Sequence, residues 1–479
     1  MNKETRIKEI QVIIDSNETV GNIPIPWKDE LESRDAYKFP LELLVYNKYN
    51  GRILSRTKSN ERQDKKIDAE SAEGKKLIEK LLYESKPKKN DQTLKSLKTL
   101  GQEKFGIITK DGIIIDGNRR AMLLNKIDHI DYFKAVVLPI EYEGDALEIE
   151  KFETKYQLGE ERKLDYNPIE IYLKIQRLYQ QISKQNRYPT KSDLEDGIKV
   201  HEGAISQIYQ WIGNYKTIGS KKDIEYSLQV INTMDEYLDY LEYNGIYTAL
   251  DDREEQFRDL TTWLNNFYGE TSVKPFPMYS DNDVDDLKTL CFELVRIKLK
   301  NEKFRFVGRG QRPNHFFGNK EIWGSFMNKH FSLSESYKEL PLDFGSSNIE
   351  AHLNSRDSDF RTKIGEQIVF NVDSHYSKLR NKQAQDKPKQ LLDKAYDSVD
   401  SINTNSKQFS SPEIQSLTER LIRKTIGILI NKSPTKVLSI IIELLEQIKV
   451  KNIKKEEVEE VKKGCKRIQQ LGYQLTKKL

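Results

Sequence analysis

The segment DGIIIDGNRRAMLLNKI, residues 111–127, constrains the fold of this chain more than any other, because it holds the signals of a hairpin, a strand and a helix in succession. Asp111-Gly112 is a dipeptide that readily takes the tight turn between two antiparallel strands. The residues on each side predict strands at 105–109 and 113–115. We therefore expect a β-hairpin whose second strand is buried.

A helix is predicted to follow at residues 121–127, where apolar residues recur at helical spacing. The bend between strand and helix is Asp116-Gly117-Asn118-Arg119-Arg120. Free backbone N–H groups and the helix dipole favour anions at a helix N-terminus. Glycine lets backbone approach a ligand closely, and arginine grips a phosphate with two parallel N–H bonds. The bend is therefore predicted to bind a nucleoside triphosphate; the alternative is a surface turn whose arginines form ordinary ion pairs.

The composition limits the class of protein. The chain has 479 residues, a length that is enough for roughly three domains. Its hydrophobic content of 37% is sufficient for buried cores. The net charge of +4 is small, so any basic footprint for nucleic acid must be local. Two distant cysteines, Cys291 and Cys465, favour a reducing compartment over a disulfide framework or a structural zinc site. No apolar run reaches the length of a membrane span, and the start of the chain lacks a signal-peptide core. We expect a soluble cytoplasmic protein.

Strand and helix signals alternate in the first 150 residues and predict a mixed α/β domain. The strand signals are IKEIQVIID, LELLVYN, FGIIT, GIII and FKAVVLPI, and the helix signals are ESAEGKKLIEKLLYE and TLKSLKTLG. Strand signals nearly vanish after residue 160. The expected fold class is α+β and multidomain, with a mixed α/β domain at 1–160, an all-α domain at 161–275, a mostly helical middle region at 276–375 and a helical C-terminal domain at 376–479.

Further boundary signals lie in the helical part of the chain. Residues 339–360 and 396–412 are rich in Ser, Asn, Asp and Gly and are predicted to be linkers. NPIEIYLKIQRLYQQI has apolar residues at helical spacing, and its Pro168 suits a first turn. Another helix is expected to start at Ser433-Pro434, since serine caps a helix and proline fits its first turn.

The order of elements around the bend resembles that of the ParB family, whose N-terminal domain has the ParB/sulfiredoxin fold. The run TLKSLKTLGQEKFGIITKDGIIIDGNRRAMLLNKI gives a helix, a glycine turn, a strand, a hairpin, a second strand, the arginine bend and a helix. Members of the family carry a G-x-R-R-x-x-A phosphate-binding box at this place. Here the box consists of Gly117, Arg119 and Arg120, and its final alanine comes early, at Ala121.

Two further family motifs occur in the expected order, so that the resemblance covers about residues 40–215. NKYNGR, residues 47–52, keeps the asparagine and the arginine of the N-P-x-Q-P-R box and loses both prolines. ETKYQ, residues 153–157, is a loose version of the E-N-x-Q-R box, and residues 167–170 match the helix start N-P-I-E in full. The resemblance implies a site for CTP or ATP formed by Asn47, Arg52, Gly117, Asn118, Arg119 and Arg120.

The acidic residues depart from the ParB pattern, which uses the glutamate of a G-E-R-R box and the Glu-Asn of the third box around magnesium and hydrolysis. This chain has Asn118 and Thr154 instead, and an asparagine cannot act as a general base. Asp116 precedes the glycine, as in branches of the fold whose D-G-x-x-R box resembles that of ATP- or GTP-using enzymes or nicking nucleases. The resemblance implies that Asp116 and Glu153 together hold Mg²⁺ and act in catalysis.

Two considerations limit the catalytic role that the resemblance implies. Asp116 could instead be a carboxylate that stabilises the N-terminus of a helix dipole. Sulfiredoxin itself is excluded, because its box needs a cysteine beside the glycine and this chain has Asn118 there. Binding of a nucleotide is therefore favoured over its turnover.

Residues 190–215 contain two short helical patterns separated by a brief turn, which is the spacing of a helix-turn-helix. Leu194 and Ile198 are predicted to face inward from the first helix. The second helix is predicted to turn Ile205, Ile208 and Ile212 inward and Ser206, Gln207 and Gln210 outward. Outward amides bond adenine edges in the major groove of double-stranded DNA. The pattern ISQIYQWI also resembles the matching ParB helix; two packed helices without a ligand are the alternative.

A second contact with DNA is predicted at FRFVGRGQRPNHFF, where Arg305, Arg309 and Arg312 are interleaved with phenylalanines. Cations mixed with aromatic rings suit nucleic-acid backbones and stacked bases. The alternative is that the phenylalanines belong to a core and the glycines around the arginines form a loop.

The last helical segment has apolar residues at heptad-like positions, namely Val458, Val461, Cys465, Ile468 and Leu475. The pattern indicates either a short intermolecular coiled coil or the last amphipathic helix of a bundle with residues 438–448. ParB relatives dimerise through their C-terminal regions, so the resemblance implies a homodimer, which also suits a helix-turn-helix that reads paired half-sites.

The sequence thus predicts a ParB-like protein in which a triphosphate with Mg²⁺ controls the engagement of DNA. The rival prediction is an enzyme of the same fold, a nucleoside triphosphate hydrolase or a DNA-nicking nuclease, that acts in DNA modification or in defence against foreign DNA. A scaffold that keeps the fold and has lost its ligand is the third.

Overall fold

The computed structural model describes residues 1–28, 30–62, 66–158, 167–213, 215, 218–250, 252–269, 272, 274–276, 278–309, 314–343, 349–430 and 432–479. The chain divides into two compact units, Met1–Gln385 and Asp386–Leu479, and the boundary falls inside one helix. The domain boundaries expected near residues 160, 275 and 375 stay predictions.

The strands lie in the first part of the first unit. They are β1 (Gly21–Trp27), β2 (Glu30–Pro40), β3 (Val45–Tyr46), β4 (Gly106–Ile108), β5 (Ile113–Asp116) and β6 (Tyr132–Val137). The helices of the same region are α1 (Lys3–Asp15), α2 (Leu54–Glu61), α3 (Ala72–Ser85), α4 (Pro87–Leu100), α5 (Asn118–Leu124) and α6 (Ala146–Leu158).

The remaining described chain is helical. The first unit continues with α7 (Pro168–Ser183), α8 (Lys191–Glu195), α9 (Glu202–Ile212), α10 (Lys221–Tyr240), α11 (Glu254–Phe267), α12 (Asp281–Arg296), α13 (Asn301–Gly308), α14 (Lys320–Glu335) and α15 (Ile349–Phe360). Helix α16 (Glu366–Asp400) contains the boundary, and α17 (Pro412–Ile430), α18 (Pro434–Gln447) and α19 (Val458–Lys478) follow in the second unit. A mixed α/β region followed by helices is the layout that the sequence predicts.

The strands form one mixed sheet in the order β1-β2-β6-β4-β5-β3 among the described residues. β1, β2 and β6 pair antiparallel, β6 pairs parallel with β4, and β5 pairs antiparallel with β4 and parallel with β3. Pro24 and Pro26 fit β1 because it is an edge strand and one of its sides needs no hydrogen bonds.

The predicted hairpin is confirmed, and Asp111 fastens its turn to the surroundings. β4 and β5 pair antiparallel, and Gly112 takes a φ of +78° between them. The Asp111 carboxylate accepts hydrogen bonds from the Thr109 hydroxyl at 2.6 Å and the Tyr142 backbone N–H at 3.0 Å. Its backbone carbonyl accepts from Nε of Arg6 at 2.5 Å. Because Arg6 belongs to α1, the turn ties the first helix to the sheet.

The strand-to-helix corner turns within one residue, since β5 ends at Asp116 and α5 begins at Asn118. Between them Gly117 takes a φ of +104°, and a Cβ at this position would lie 2.6 Å from the ring of Phe133. The predicted bend therefore exists. Both its backbone conformation and its contact with Phe133 require a glycine.

Helix α7 connects two parts of the helical region. It begins as the sequence predicts: the Asn167 side chain accepts the backbone N–H of Ile169 at 3.2 Å, and Pro168 occupies the first turn. Leu173 packs into the large core that includes α10, α11 and α12, whereas Ile175 packs into a smaller core with α9. A shift of α7 would therefore change the packing of both cores.

The second unit has amphipathic helices whose apolar residues are largely exposed. Helix α18 begins at Pro434 directly after Ser433, as predicted. Val458, Ile468 and Leu475, from the predicted heptad pattern, are all exposed on α19. None of the described helices in either unit is long and apolar enough to cross a membrane.

Three local predictions outside the candidate site are wrong, and two strands were not predicted. IKEIQVIID lies in α1 rather than in a strand; its apolar residues also recur at helical spacing, and the Asn2 side chain caps the helix by accepting the Thr5 N–H at 2.9 Å. Strands β1 and β2 were not expected, because prolines and charged residues mask their pattern. Residues 349–360 form α15 and residues 396–400 belong to α16, although both were expected in linkers.

Replacement of Gly117 by alanine should destabilise the fold. A left-handed backbone costs an L-residue about 1–2 kcal/mol, and the new Cβ would also press on Phe133. We expect a lower midpoint of thermal unfolding by circular dichroism. Gly324→Ala is the matched control, because nothing lies within 4 Å of that Cβ position in α14 and alanine favours a helix. An unchanged midpoint for Gly117→Ala would contradict this account of the corner.

Candidate anion-binding site at the strand-to-helix corner

Arg119 lies in the first turn of α5 and is buried, with 6% of its surface exposed. Its Nη2 donates one long hydrogen bond, 3.4 Å, to the Thr93 hydroxyl of α4. In the described part of the chain no carboxylate is bonded to this guanidinium. Burial, Arg52 and Arg120 together lower the pKa of Arg119 to about 10. A buried cation beside other cations is unfavourable unless an anion neutralises it.

Arg120 is balanced within the protein. Its guanidinium donates to the Asp116 carboxylate at 2.7 Å and to the Lys104 backbone carbonyl at 2.5 Å. This pair matches the alternative in which an arginine of the bend forms an ordinary ion pair. The two arginines therefore differ: Arg120 braces the corner, and Arg119 supplies a positive charge that no carboxylate of the described residues offsets.

Asn118 holds a second segment against the corner. Its Nδ2 donates to the Ile114 carbonyl at 2.8 Å, and its Oδ1 accepts the backbone N–H of Asn47 at 2.9 Å. Nδ2 of Asn47 is buried and has no hydrogen-bond partner among the described residues. Arg52, five residues further on, is close enough for its charge to lower the pKa of Arg119. The fold thus brings the predicted nucleotide-binding residues together.

The segment that carries Arg52 is bonded to α7 on both of its sides. Before Arg52, the Tyr49 ring lies under the Arg177 guanidinium, with 4.0 Å from the guanidinium carbon to the ring centroid. After Arg52, Ser55 donates its backbone N–H at 3.0 Å and its hydroxyl at 2.6 Å to the Glu170 carboxylate. Arg177 and Glu170 both belong to α7, so the corner and this helix are mechanically connected.

Glu150 and Glu153 of α6 form a buried cluster with two cations of α7. Lys174 is bonded to Glu150 and lies 3.3 Å from Glu153, and Nε of Arg177 lies 2.9 Å from Glu150. Burial raises the pKa of Glu153 although Lys174 opposes the shift. Burial, Glu150 and Glu153 also raise the pKa of the Tyr142 hydroxyl. The charges of the two carboxylates and the two cations compensate one another within this cluster.

The carboxylates predicted to hold Mg²⁺ are each bonded to a cation, Asp116 to Arg120 and Glu153 to Lys174. Within the described ranges no group of three or more His, Cys, Asp or Glu side chains could hold a metal ion. The donor set as it stands does not fit a resident divalent ion. The metal and catalytic assignments of Asp116 and Glu153 stay predictions.

Helix α9 has the two faces that the sequence predicts. Ile205, Ile208 and Ile212 are buried in a core shared with α7 and α10. On the other face Gln207 and Gln210 are exposed, while Ser206 is half-buried and accepts a hydrogen bond from Nζ of Lys221 at 2.8 Å. The exposed amides are available to a partner.

The prediction for the helix before α9 is wrong. Helix α8 has five residues, all of them described, and none is buried. Leu194 is 44% exposed and Ile198 is 48% exposed, whereas the sequence predicts that both face inward. The reason is that α7 and α10 already cover the inward face of α9.

In the second predicted DNA contact, the described arginines lie beside acidic residues and the phenylalanines are separate from them in the interior. Arg305 is bonded to Asp259 at 2.6 Å and to Glu255, and Arg309 lies 4.0 Å from Asp259 with half of its side chain exposed. Arg312 lies outside the described residues. The aromatic residues among these arginines pack in the interior, as the alternative expects: Phe304, Phe316 and Phe317 are buried, and Phe306 stacks on Tyr376. DNA contact by the three arginines stays a prediction.

No family model and no curated protein matches the chain. Among solved structures, it is similar to a Pnob8-like ParB-N domain, with 13% identity and a TM-score of 0.32 over 56% of this chain and 93% of that one. A TM-score of this size does not establish a shared fold. The resemblance to ParB therefore rests on the motifs alone.

Three contacts of the site carry no signal in the sequence. They are those of Thr93 with Arg119, Tyr49 with Arg177, and Ser55 with Glu170. Each pair is far apart along the chain, so spacing and periodicity do not connect its members. Glu170, the third residue of α7, is accounted for by the helix dipole alone. The sequence therefore gives no reason to expect its hydrogen bond with the distant Ser55.

Arg119→Met should remove the response of thermal stability to phosphate. An anion that binds the folded state stabilises it by mass action, so the unfolding midpoint of the wild type should rise in phosphate relative to chloride of equal ionic strength. The variant keeps an unbranched apolar side chain and lacks the guanidinium with its charge. Arg34→Met is the control, because Arg34 is paired with Glu32. A response that survives in Arg119→Met would contradict anion binding at the corner.

Proposed function

We propose that this chain is a nucleotide-dependent DNA-binding protein in which CTP or ATP binds at the strand-to-helix corner. The observation that carries the proposal is the buried Arg119 guanidinium, which has cationic neighbours and no carboxylate bonded to it in the described residues. A phosphate accepts two parallel N–H bonds from a guanidinium and would neutralise this charge. The unpartnered Nδ2 of Asn47 supports an acceptor in the same place.

The neighbours of Arg119 favour a polyphosphate over a single phosphate. Arg52 and Arg120 both act electrostatically on Arg119, so several positive charges are grouped at the corner. Mg²⁺ in this proposal arrives with the triphosphate, because it binds phosphate oxygens and water together with one or two carboxylates. Asp116 and Glu153 are the proposed carboxylates, and Mg²⁺ would have to compete with Arg120 and Lys174 for them.

The DNA-binding part of the proposal rests on α9. Gln207 and Gln210 lie three residues apart, so they share one face of the helix, and both are exposed. Glutamine amides pair with the N6 and N7 edge of adenine in the major groove. Ser206, beside them, has the size and polarity to contact a phosphate.

Coupling between the two activities would pass through α7. A triphosphate that draws Arg52 toward Arg119 would move the segment that carries it, and Tyr49 and Ser55 would transmit this movement to α7. Because Ile175 of α7 packs into the same core as α9, the movement would change the placement of the exposed glutamines. The triphosphate would thereby select one DNA-binding state.

The proposal includes a homodimer formed through the second unit. The exposed apolar residues of α19, among them Ile468, Leu471 and Leu475, support it. Such residues are expected where a helix packs against a partner.

Titration with CTP, ATP and GTP, each with Mg²⁺, tests the nucleotide site. We expect isothermal titration calorimetry to detect saturable binding of at least one triphosphate. Arg119→Met should weaken it by at least about tenfold, because hydrogen bonds to charged groups contribute about 1.5–3 kcal/mol each. Arg34→Met should bind like the wild type. Phosphate release measured on the same samples shows whether the triphosphate is hydrolysed. Absence of heat with all three nucleotides would refute the proposal.

Glu170→Gln tests the coupling. The variant weakens the contact between Ser55 and α7 and leaves the arginines intact, so triphosphate affinity should stay within about twofold while the effect of triphosphate on DNA affinity is lost. Fluorescence anisotropy with labelled double-stranded DNA, with and without nucleotide, measures the effect. Glu254→Gln is the matched control. Glu254 belongs to α11, and its carboxylate also accepts a hydrogen bond at α7, from the Tyr172 hydroxyl. If nucleotide alters DNA affinity in Glu170→Gln as it does in the wild type, the α7 route is wrong.

A further inference from the structure

A cavity of about 350 Å³ lies in the helical part of the first unit, between α8, α10, α11 and α12. Its volume is within the range of about 300–1,000 Å³ that is usual for sites of small molecules. It is lined by residues that neither the nucleotide site nor the exposed face of α9 uses. The cavity is therefore separate from the sites described above.

Two amides on one face of α10 offer a donor and an acceptor side by side. Gln229 and Asn232 are three residues apart and both line the cavity. Gln229 accepts a hydrogen bond from Asn265 at 2.8 Å through Oε1, which leaves its Nε2 as a donor. Asn232 is 7% exposed and donates to the Tyr188 carbonyl at 2.8 Å, and its Oδ1 accepts no hydrogen bond from the described residues.

Each charged side chain of the lining already has a partner, and Lys191 donates to the backbone carbonyls of Asn265 and Tyr268. Lys288 lies 3.0 Å from Glu236 and 3.5 Å from Asp285, and Arg187 lies 2.9 Å from Asp193. An uncharged ligand suits the cavity, because a charged one would have to break an ion pair or take Lys191 from its two backbone carbonyls.

The remaining lining is apolar and aromatic. Leu264 and Val284 border the cavity, and the half-buried Tyr268 lies beside them in its lining. Leu194 of α8 also lines it and is 44% exposed. An aromatic ring beside apolar side chains favours a flat molecule that stacks.

We propose that this cavity binds a nucleobase or a nucleoside. A base presents an adjacent donor and acceptor on one edge, which the Gln229 and Asn232 amides would pair with, and a flat face, which Tyr268 would stack on. The ligand would cover Leu194. It would thereby fasten α8, whose described residues are all outside the core. This site is independent of the triphosphate at the corner.

The test uses the full chain carrying Arg119→Met, so that binding at the corner does not contribute. Adenosine, guanosine, cytidine and uridine are titrated separately and followed by thermal unfolding and calorimetry. We expect at least one nucleoside to bind saturably and to raise the unfolding midpoint. Gln229→Glu, which replaces the donor by an acceptor, should weaken that binding by at least about tenfold.

Leu194→Trp provides a second variant, because Leu194 is exposed and a larger ring there should fill the mouth of the cavity without unfolding the protein. It should also abolish nucleoside binding. Leu31→Trp is its control, since Leu31 is 74% exposed near the start of β2, a strand that does not line the cavity. The proposal is overturned if none of the four nucleosides binds at millimolar concentration, or if both variants bind a nucleoside as tightly as their parent.

Discussion

The positive charge of Arg119, buried beside Arg52 and Arg120, is the interaction around which the rest of the structure is arranged. Arg120 has its counter-charge in Asp116, whereas no carboxylate of the described residues is bonded to Arg119. Removing a charge from water is costly, so a fold that keeps one in this state gains stability when an anion arrives. The frame around it is stiff, because Gly117 packs against Phe133 and cannot carry a side chain.

The same frame gives the corner a connection to the helical region. Arg52 belongs to a segment whose residues on either side bond to α7, and α7 in turn packs into the core of α9. Packed cores respond to displacement by shifting between discrete arrangements rather than by deforming smoothly. In the proposed function, an anion held by both Arg119 and Arg52 would act on the exposed face of α9 through these contacts.

The sequence predicts the corner well and the surroundings poorly, for physical reasons. The turn at Asp111-Gly112 and the bend at Gly117 depend on local backbone preferences, which are visible in a few adjacent residues. The pairing of Ser55 with Glu170 depends on how distant segments pack, and no local preference encodes it. Leu194 illustrates the limit, since helical spacing alone does not reveal that α7 and α10, rather than α8, cover the inward face of α9.

The most direct test of the central claim is a crystal structure of the protein grown or soaked with a triphosphate and Mg²⁺. The account predicts phosphate oxygens within hydrogen-bond distance, about 3 Å, of the Arg119 guanidinium, with Arg52 turned toward the same phosphates. Density for the triphosphate at another place, with Arg119 unchanged and still bonded to Thr93 alone, would contradict the account.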